Sequence, residues 1–202
     1  MNILLVNPSQ RIVYDKMKAP LQMHMGLAYV AAMVEKDNSV EIIDIDADRV
    51  TPEEFEKRLK DRKYEIAGFT VTTPTLSSSM ELARRVKRVL PGCLTVFGGI
   101  HPTIRPLETL AFDSVDIVVV GEGETTFREI VDTVRCKGDL AGVSGIAFKV
   151  ENEPKETTPR KLIEDLDSLS FPARHLFSSK SYTYPDSLYA NASPIMTSRG
   201  CP

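Results

Sequence analysis

The sequence predicts an α/β protein: a doubly wound, five-stranded parallel sheet followed by a C-terminal β-hairpin and a linker. Two observations carry that reading. Short apolar runs alternate with longer segments whose apolar residues recur at helical spacing, the mark of successive βαβ units. The runs also end on turn-forming residues: Asn7-Pro8, Gly98-Gly99 and Gly121. Right-handed crossovers turn such units into a parallel sheet covered by helices, although periodicity alone does not fix the strand order.

The elements follow in order. The first strand spans Ile3 to Val6, and after a loop to about Gln22 a helix carries Leu27, Val30, Ala31 and Val34. The second strand is Val40 to Ile45. Thr51-Pro52-Glu53-Glu54 then combines a capping hydroxyl, a proline at the first helical position and acids in the first turn, which predicts a helix presenting Phe55 and Leu59. The third strand is Ile66 to Val71. A helix from Leu76 to Leu90 is expected to turn Leu82, Val86 and Val89 inward before Pro91-Gly92 stops it. The fourth strand is Leu94 to Phe97, a short helix runs from Ile104 to Ala111, and the fifth strand is Ile117 to Val120. A last helix holds Phe127, Ile130, Val131 and Val134. Val143–Val150 and Lys155–Leu162, split by Glu-Asn-Glu-Pro, read as a hairpin. Beyond Leu166 the chain is rich in Ser, Pro and Tyr and has no clear period. The expected organisation is a domain over 1–140, a hairpin appendage over 141–165 and a linker over 166–202.

A length of 202 residues suits one packed domain with an appendage. Acids and bases interleave to a net charge of −3, which argues against a nucleic-acid binder. No apolar stretch approaches a membrane span and the N-terminus lacks a basic, signal-like start, so a cytoplasmic location is expected. Three widely spaced cysteines, Cys93, Cys136 and Cys201, do not make a disulfide framework. Cys93 and Cys136 are expected to pack as small hydrophobes.

In doubly wound sheets a ligand sits at the carboxyl ends of the strands, which selects four loops: Asn7–Asp15, Thr70–Ser77, Gly98–Thr103 and Gly121–Thr125. Thr70, Thr72 and Thr73 stand in a run dense in hydroxyls. One or two would serve as ordinary helix caps, and so many on one rim point to a polar ligand. Gly98 and Gly99 either make a tight turn or let a ligand approach the backbone. His101 follows them and is able to ligate or to hydrogen-bond, whereas His24 and His175 carry less signal. Gly121, Glu122, Gly123 and Glu124 place acids at a helix N-terminus, where the dipole favours them and a phosphate is disfavoured. No G-x-G-x-x-G follows the first strand and no P-loop motif occurs, so dinucleotide and nucleoside triphosphate readings lose their main support.

Taken in order, Leu5-Val6-Asn7-Pro8, Gly68-Phe69-Thr70-Val71-Thr72, Gly98-Gly99-Ile100-His101-Pro102-Thr103 and Gly121-Glu122-Gly123-Glu124 resemble the N-terminal cobalamin-binding domain of radical S-adenosylmethionine enzymes. That group includes class B methylases and the anaerobic Mg-protoporphyrin monomethyl ester oxidative cyclase. The likeness covers about residues 1–140, and the order and spacing of the motifs carry it. It implies a Rossmann-like, flavodoxin-like fold with strand order 2-1-3-4-5 and cobalamin lying across the loops, its tail threaded into the domain. It places Thr70 and Thr72 where the family's Ser-x-Leu falls, with Thr72 replacing the Leu. It matches Gly98 and Gly99 to the glycines that let the tail pass. Asn7, Pro8, Thr73, His101, Gly121, Glu122 and Gly123 complete the expected rim. Cobalamin domains of mutases carry a cobalt-ligating His after the first strand; Asn7–Asp15 has none, so cobalt would be bound without a protein His from this loop.

Pro194–Pro202 resembles the first strand of a radical S-adenosylmethionine barrel. By that likeness Cys201 is the first ligand of a [4Fe–4S] cluster, the two further cysteines lie beyond Pro202, and this piece is catalytically inactive alone. The expected partner is the barrel of the same longer chain, acting on a small-molecule substrate by methyl transfer or oxidative cyclisation, with a tetrapyrrole among the candidates. No residue here is poised as a general base or nucleophile. Two other readings stay open: a ligand-free interaction or regulatory domain of the same fold, and a flavin-binding flavodoxin-like module.

Overall fold

A computed structural model of the chain describes residues 1–11, 22–177, 182 and 193–200. Five parallel strands, β1 (Asn2–Asn7), β2 (Ser39–Asp44), β3 (Ile66–Thr70), β4 (Leu94–Gly98) and β5 (Ile117–Val119), are joined by two more, β6 (Ile146–Val150) and β7 (Glu153–Glu156). Among the described residues they form one sheet in the order β2-β1-β3-β4-β5-β6-β7. The first five pair in parallel in the expected 2-1-3-4-5 order, and β6 and β7 continue the sheet antiparallel.

The central strands are buried on both faces, as parallel strands must be when helices cover both sides. Ile3 and Leu5 point to one face, with Ile66, Val96, Ile117 and Val119. Leu4 and Val6 point to the other, with Ala67, Phe69, Phe97 and Val118. Helices α1 (Met25–Val34) and α6 (Gly123–Arg135) cover the first face. Helices α2 (Pro52–Arg62) and α3 (Leu76–Val89) cover the second. The expected cap of α2 is present: Thr51 Oγ1 accepts from the Glu54 amide at 3.2 Å, with Pro52 opening the helix.

The structure departs from the sequence reading in four places. The helix expected over Ile104–Ala111 is two, α4 (Ile100–Ile104) and α5 (Pro106–Leu110). Arg105 lies between them at φ −131°, ψ 59°, because a residue before proline is pushed out of the helical region. On α3 the fully buried positions are Ser79, Met80, Ala83 and Val86. Leu82 and Val89 pack only at the margin, since small residues bring the helix close to the sheet. The hairpin arms are shorter than expected, and its turn is Glu151-Asn152, both at positive φ (51° and 69°), as a type I′ turn requires. Pro154 belongs to edge strand β7, where its missing N–H is tolerated. Cys93 is buried as expected, but Cys136 is exposed, because it sits past the last turn of α6 rather than on its inner face.

Beyond the hairpin, Ala173 and Phe177 return to the core on the α1–α6 face, and Ala173 N–H donates to the Ala28 carbonyl at 2.9 Å. Residues 193–200 form no helix or strand. No helix among the described residues is long and apolar enough to cross a membrane.

Candidate functional site

Side chains alternate along a strand, and on the α1–α6 face they shrink toward the carboxyl ends. Ile66 gives way to Gly68 and then Thr70 on β3, and Leu94 gives way to Val96 and then Gly98 on β4. Gly26 on α1 and Gly123 on α6 stand opposite. The result is a cavity of about 230 Å³ between the two helices and the ends of β1, β3, β4 and β5. Leu5, Leu27, Val30, Val96, Val119 and Phe127 make most of its wall apolar.

The glycines are there for close packing. A methyl group at Gly68 would lie 2.9 Å from Leu5 Cδ2 and 3.2 Å from Phe127 Cε2. Gly99 has φ 107° and ψ −169°, a conformation essentially restricted to glycine. A Cβ there would meet the Val71 carbonyl oxygen at 2.8 Å.

Polar groups stand at the mouth. His24 caps α1: its Nδ1 accepts from the Leu27 amide at 3.2 Å, and its Nε2 lies 3.1 Å from Thr70 Oγ1. Desolvation lowers the His24 pKa, an effect the charge of Asp44 partly offsets. Glu122 and Glu124 reach Arg199, with Nη1 to Glu122 Oε1 at 3.2 Å and Nη2 to Glu124 Oε1 at 2.5 Å. The Arg199 guanidinium also lies 5.9 Å from the centre of the Tyr29 ring.

Of the residues singled out from sequence, Thr70, Gly98, Gly99, Gly121, Glu122 and Gly123 meet around this cavity. Five lie outside its lining. Asn7 is buried, and its Nδ2 donates to Asp44 Oδ2 at 2.9 Å; neither it nor Pro8 lines the cavity. Thr72 is engaged with Thr75, whose Oγ1 accepts its amide at 2.9 Å, so it serves the local turn. Thr73 Oγ1 and His101 Nδ1 pair with each other at 3.0 Å on the exposed rim. Cys201 and residues 12–15 of the first loop lie outside the described residues.

Sequence reasoning passed over His24, Gly68, Phe127 and Arg199. The period-2 pattern through Ile66-Gly68-Thr70 marks Gly68. Nothing local marks the others, because residues distant in sequence bring them to the site. Among the described residues no group of His, Cys, Asp and Glu is arranged to hold a metal ion.

The model of the B12 binding domain family matches residues 19–131, a span containing the cavity apart from Leu5 and Arg199. The chain belongs to the B12-binding domain family. An uncharacterized methyltransferase of Pyrococcus horikoshii is 33% identical over 100% of this chain and 44% of its own length. The anaerobic magnesium-protoporphyrin IX monomethyl ester cyclase of Synechocystis is 27% identical over 100% of this chain and 41% of its own. The chain therefore spans less than half the length of these relatives. In fold it is similar to the radical S-adenosylmethionine methyltransferase TsrM of Kitasatospora setae, solved with cobalamin and a [4Fe–4S] cluster bound. The TM-score is 0.68 at 20% identity, covering 85% of this chain and 31% of that one.

The cavity fits part of a cobalamin and not the whole. Its 230 Å³ falls below the roughly 300–1,000 Å³ of pockets that enclose a drug-sized ligand. A mostly apolar cavity of this size, with the Thr70 hydroxyl on its lining, suits a single aromatic ring system, such as a benzimidazole. The corrin would then lie outside, across the loops after β3, β4 and β5.

Proposed function

We propose that this chain is the cobalamin-binding part of a longer radical S-adenosylmethionine enzyme that catalyses methyl transfer or oxidative cyclisation. The observation that carries the reading is the glycine-lined apolar slot at the carboxyl ends of the central strands, inside a B12-binding domain. Leu27, Val30, Val96, Val119 and Phe127 would hold the base tail and keep water from it, and Thr70 would offer it a hydrogen bond. Gly98 and Gly99 would leave room for the tail to pass the backbone, and Gly121–Gly123 would border the corrin.

Bound here, cobalamin would supply the longer enzyme with a methyl carrier or an electron-transfer centre. His24 already uses both ring nitrogens, so it does not present one to cobalt. The cluster and S-adenosylmethionine would belong to the rest of the longer chain, with Cys201 supplying one thiolate, and the small-molecule substrate would bind there too.

The test is a titration of the purified chain with hydroxocobalamin, followed by absorbance and by co-elution in gel filtration. A saturable spectral change toward the tail-detached form, with stoichiometric cobalt retained on the column, is expected. A chain that elutes free of cobalt and leaves the spectrum unchanged would instead be a ligand-free interaction domain of this fold.

A further inference from the structure

His24 is two residues upstream of the cavity's first glycine, and its contacts determine which way the Thr70 hydroxyl proton points. The Leu27 amide is a donor only, so His24 Nδ1 must accept from it and carry no proton. A neutral imidazole then carries its proton on Nε2. That nitrogen lies 3.1 Å from Thr70 Oγ1, so the ring donates and the threonine oxygen accepts. Thr70 has one hydroxyl proton, and its oxygen has already taken the imidazole N–H. The proton is therefore free to be donated elsewhere, and Thr70 lines the cavity.

We infer that His24 is a positioning residue: by capping helix α1 in one tautomer, it presets Thr70 as a hydrogen-bond donor to an acceptor atom on the ring that enters the cavity. The inference rests on the reading that the slot takes the base tail of cobalamin, whose benzimidazole nitrogen is such an acceptor once it leaves cobalt. A helix cap and a ligand contact thus share one imidazole. The sequence reading separated them, assigning the hydroxyls to the rim and leaving His24 aside.

The tautomer is tested without any ligand. In nitrogen-15 spectra of the full chain at neutral pH, His24 should show a protonated Nε2 and an unprotonated Nδ1. The opposite tautomer would overturn the proposal whether or not the chain binds cobalamin. Its consequence is tested by binding hydroxocobalamin and dicyanocobinamide, which lacks the base tail. His24→Asn keeps a capping acceptor for α1 but is too short to reach Thr70 as the ring does. It should weaken cobalamin about tenfold, the value of one hydrogen bond, and leave cobinamide unchanged. Thr70→Val should do the same, and the double variant should lose no more than either single variant. Equal weakening of both corrinoids, or additive losses in the double variant, would reduce His24 to a structural cap and overturn the proposal. If the unaltered chain binds neither corrinoid, the cobalamin reading fails, and the tautomer measurement still decides whether His24 presets Thr70 as a donor.

Discussion

Gly98 and Gly99 are adjacent, yet the structure assigns them separable tasks. A Cβ on Gly99 would sit 2.8 Å from the Val71 carbonyl oxygen and 3.0 Å from the Val71 nitrogen. Neither atom is free to retreat. Val71 N–H donates to the Gly98 carbonyl at 2.7 Å, and the Val71 carbonyl accepts from His101 at 3.2 Å. The backbone conformation adds about 1–3 kcal/mol for any L-residue. Gly99→Ala should therefore cost about 3–4 kcal/mol, which for a chain of this size lowers Tm by roughly 10 °C. A Cβ on Gly98 meets nothing nearer than Val119 Cβ at 3.7 Å, an ordinary contact. Gly98→Ala should change stability by less than about 1 kcal/mol, but its methyl enters the cavity wall and should weaken cobalamin at least tenfold. Differential scanning calorimetry and hydroxocobalamin titration on the two variants check this. The reasoning fails if Gly98→Ala melts as early as Gly99→Ala, or if it binds as the unaltered chain does.

Three further outcomes are expected. Burial lowers the His24 pKa, so the folded state disfavours its charged form: this contribution to stability is complete above the usual imidazole value of 6.5 and is lost as pH falls below it. Thermal melts from pH 8 to pH 5 should show a steeper acid loss for the unaltered chain than for His24→Asn. Arg199→Ala leaves Glu124, whose side chain is only 6% exposed, without its cation; discounted for the helix dipole and partial solvation, the loss is about 1–2 kcal/mol. Adding Glu124→Gln should recover most of that loss in a melting experiment, and an unchanged Tm for Arg199→Ala would refute the pairing. At neutral pH, peptide mapping after maleimide treatment should find Cys136 modified and Cys93 spared, because burial pushes the Cys93 thiol up to about 12 while Cys136 is exposed.

Much of the frame was legible because its causes are local. Apolar runs closed by turn residues produce strands wherever they occur, and Thr51-Pro52 starts a helix by capping chemistry alone. The misreadings also have local causes that a count of large apolar residues does not detect. Arg105 breaks a helix only because Pro106 follows it. Ala83 and Ser79 set the inner face of α3 by being small. Pro154 looked like a turn residue, but it sits on an edge strand beside a two-residue turn at Glu151-Asn152.

The site was half legible for a different reason. Glycines and hydroxyls on the rim announce themselves because they follow strands, and Thr70, Gly98 and Gly99 do meet around one cavity. Thr72 and Thr73 look the same in sequence yet bond to Thr75 and His101 instead. Only the pairing of β3 with β4, which sets Thr70 beside Gly98, separates the threonine that faces the slot from its neighbours. His24 illustrates the same limit more sharply. It is 46 residues from Thr70, and its value lies in a proton whose position is fixed by a helix N-terminus. The hydrogen-bond capacity of the site is thus set partly by an element that looks, in sequence, like plain scaffolding. A variant that preserves every rim residue but alters the start of α1 should therefore change ligand recognition.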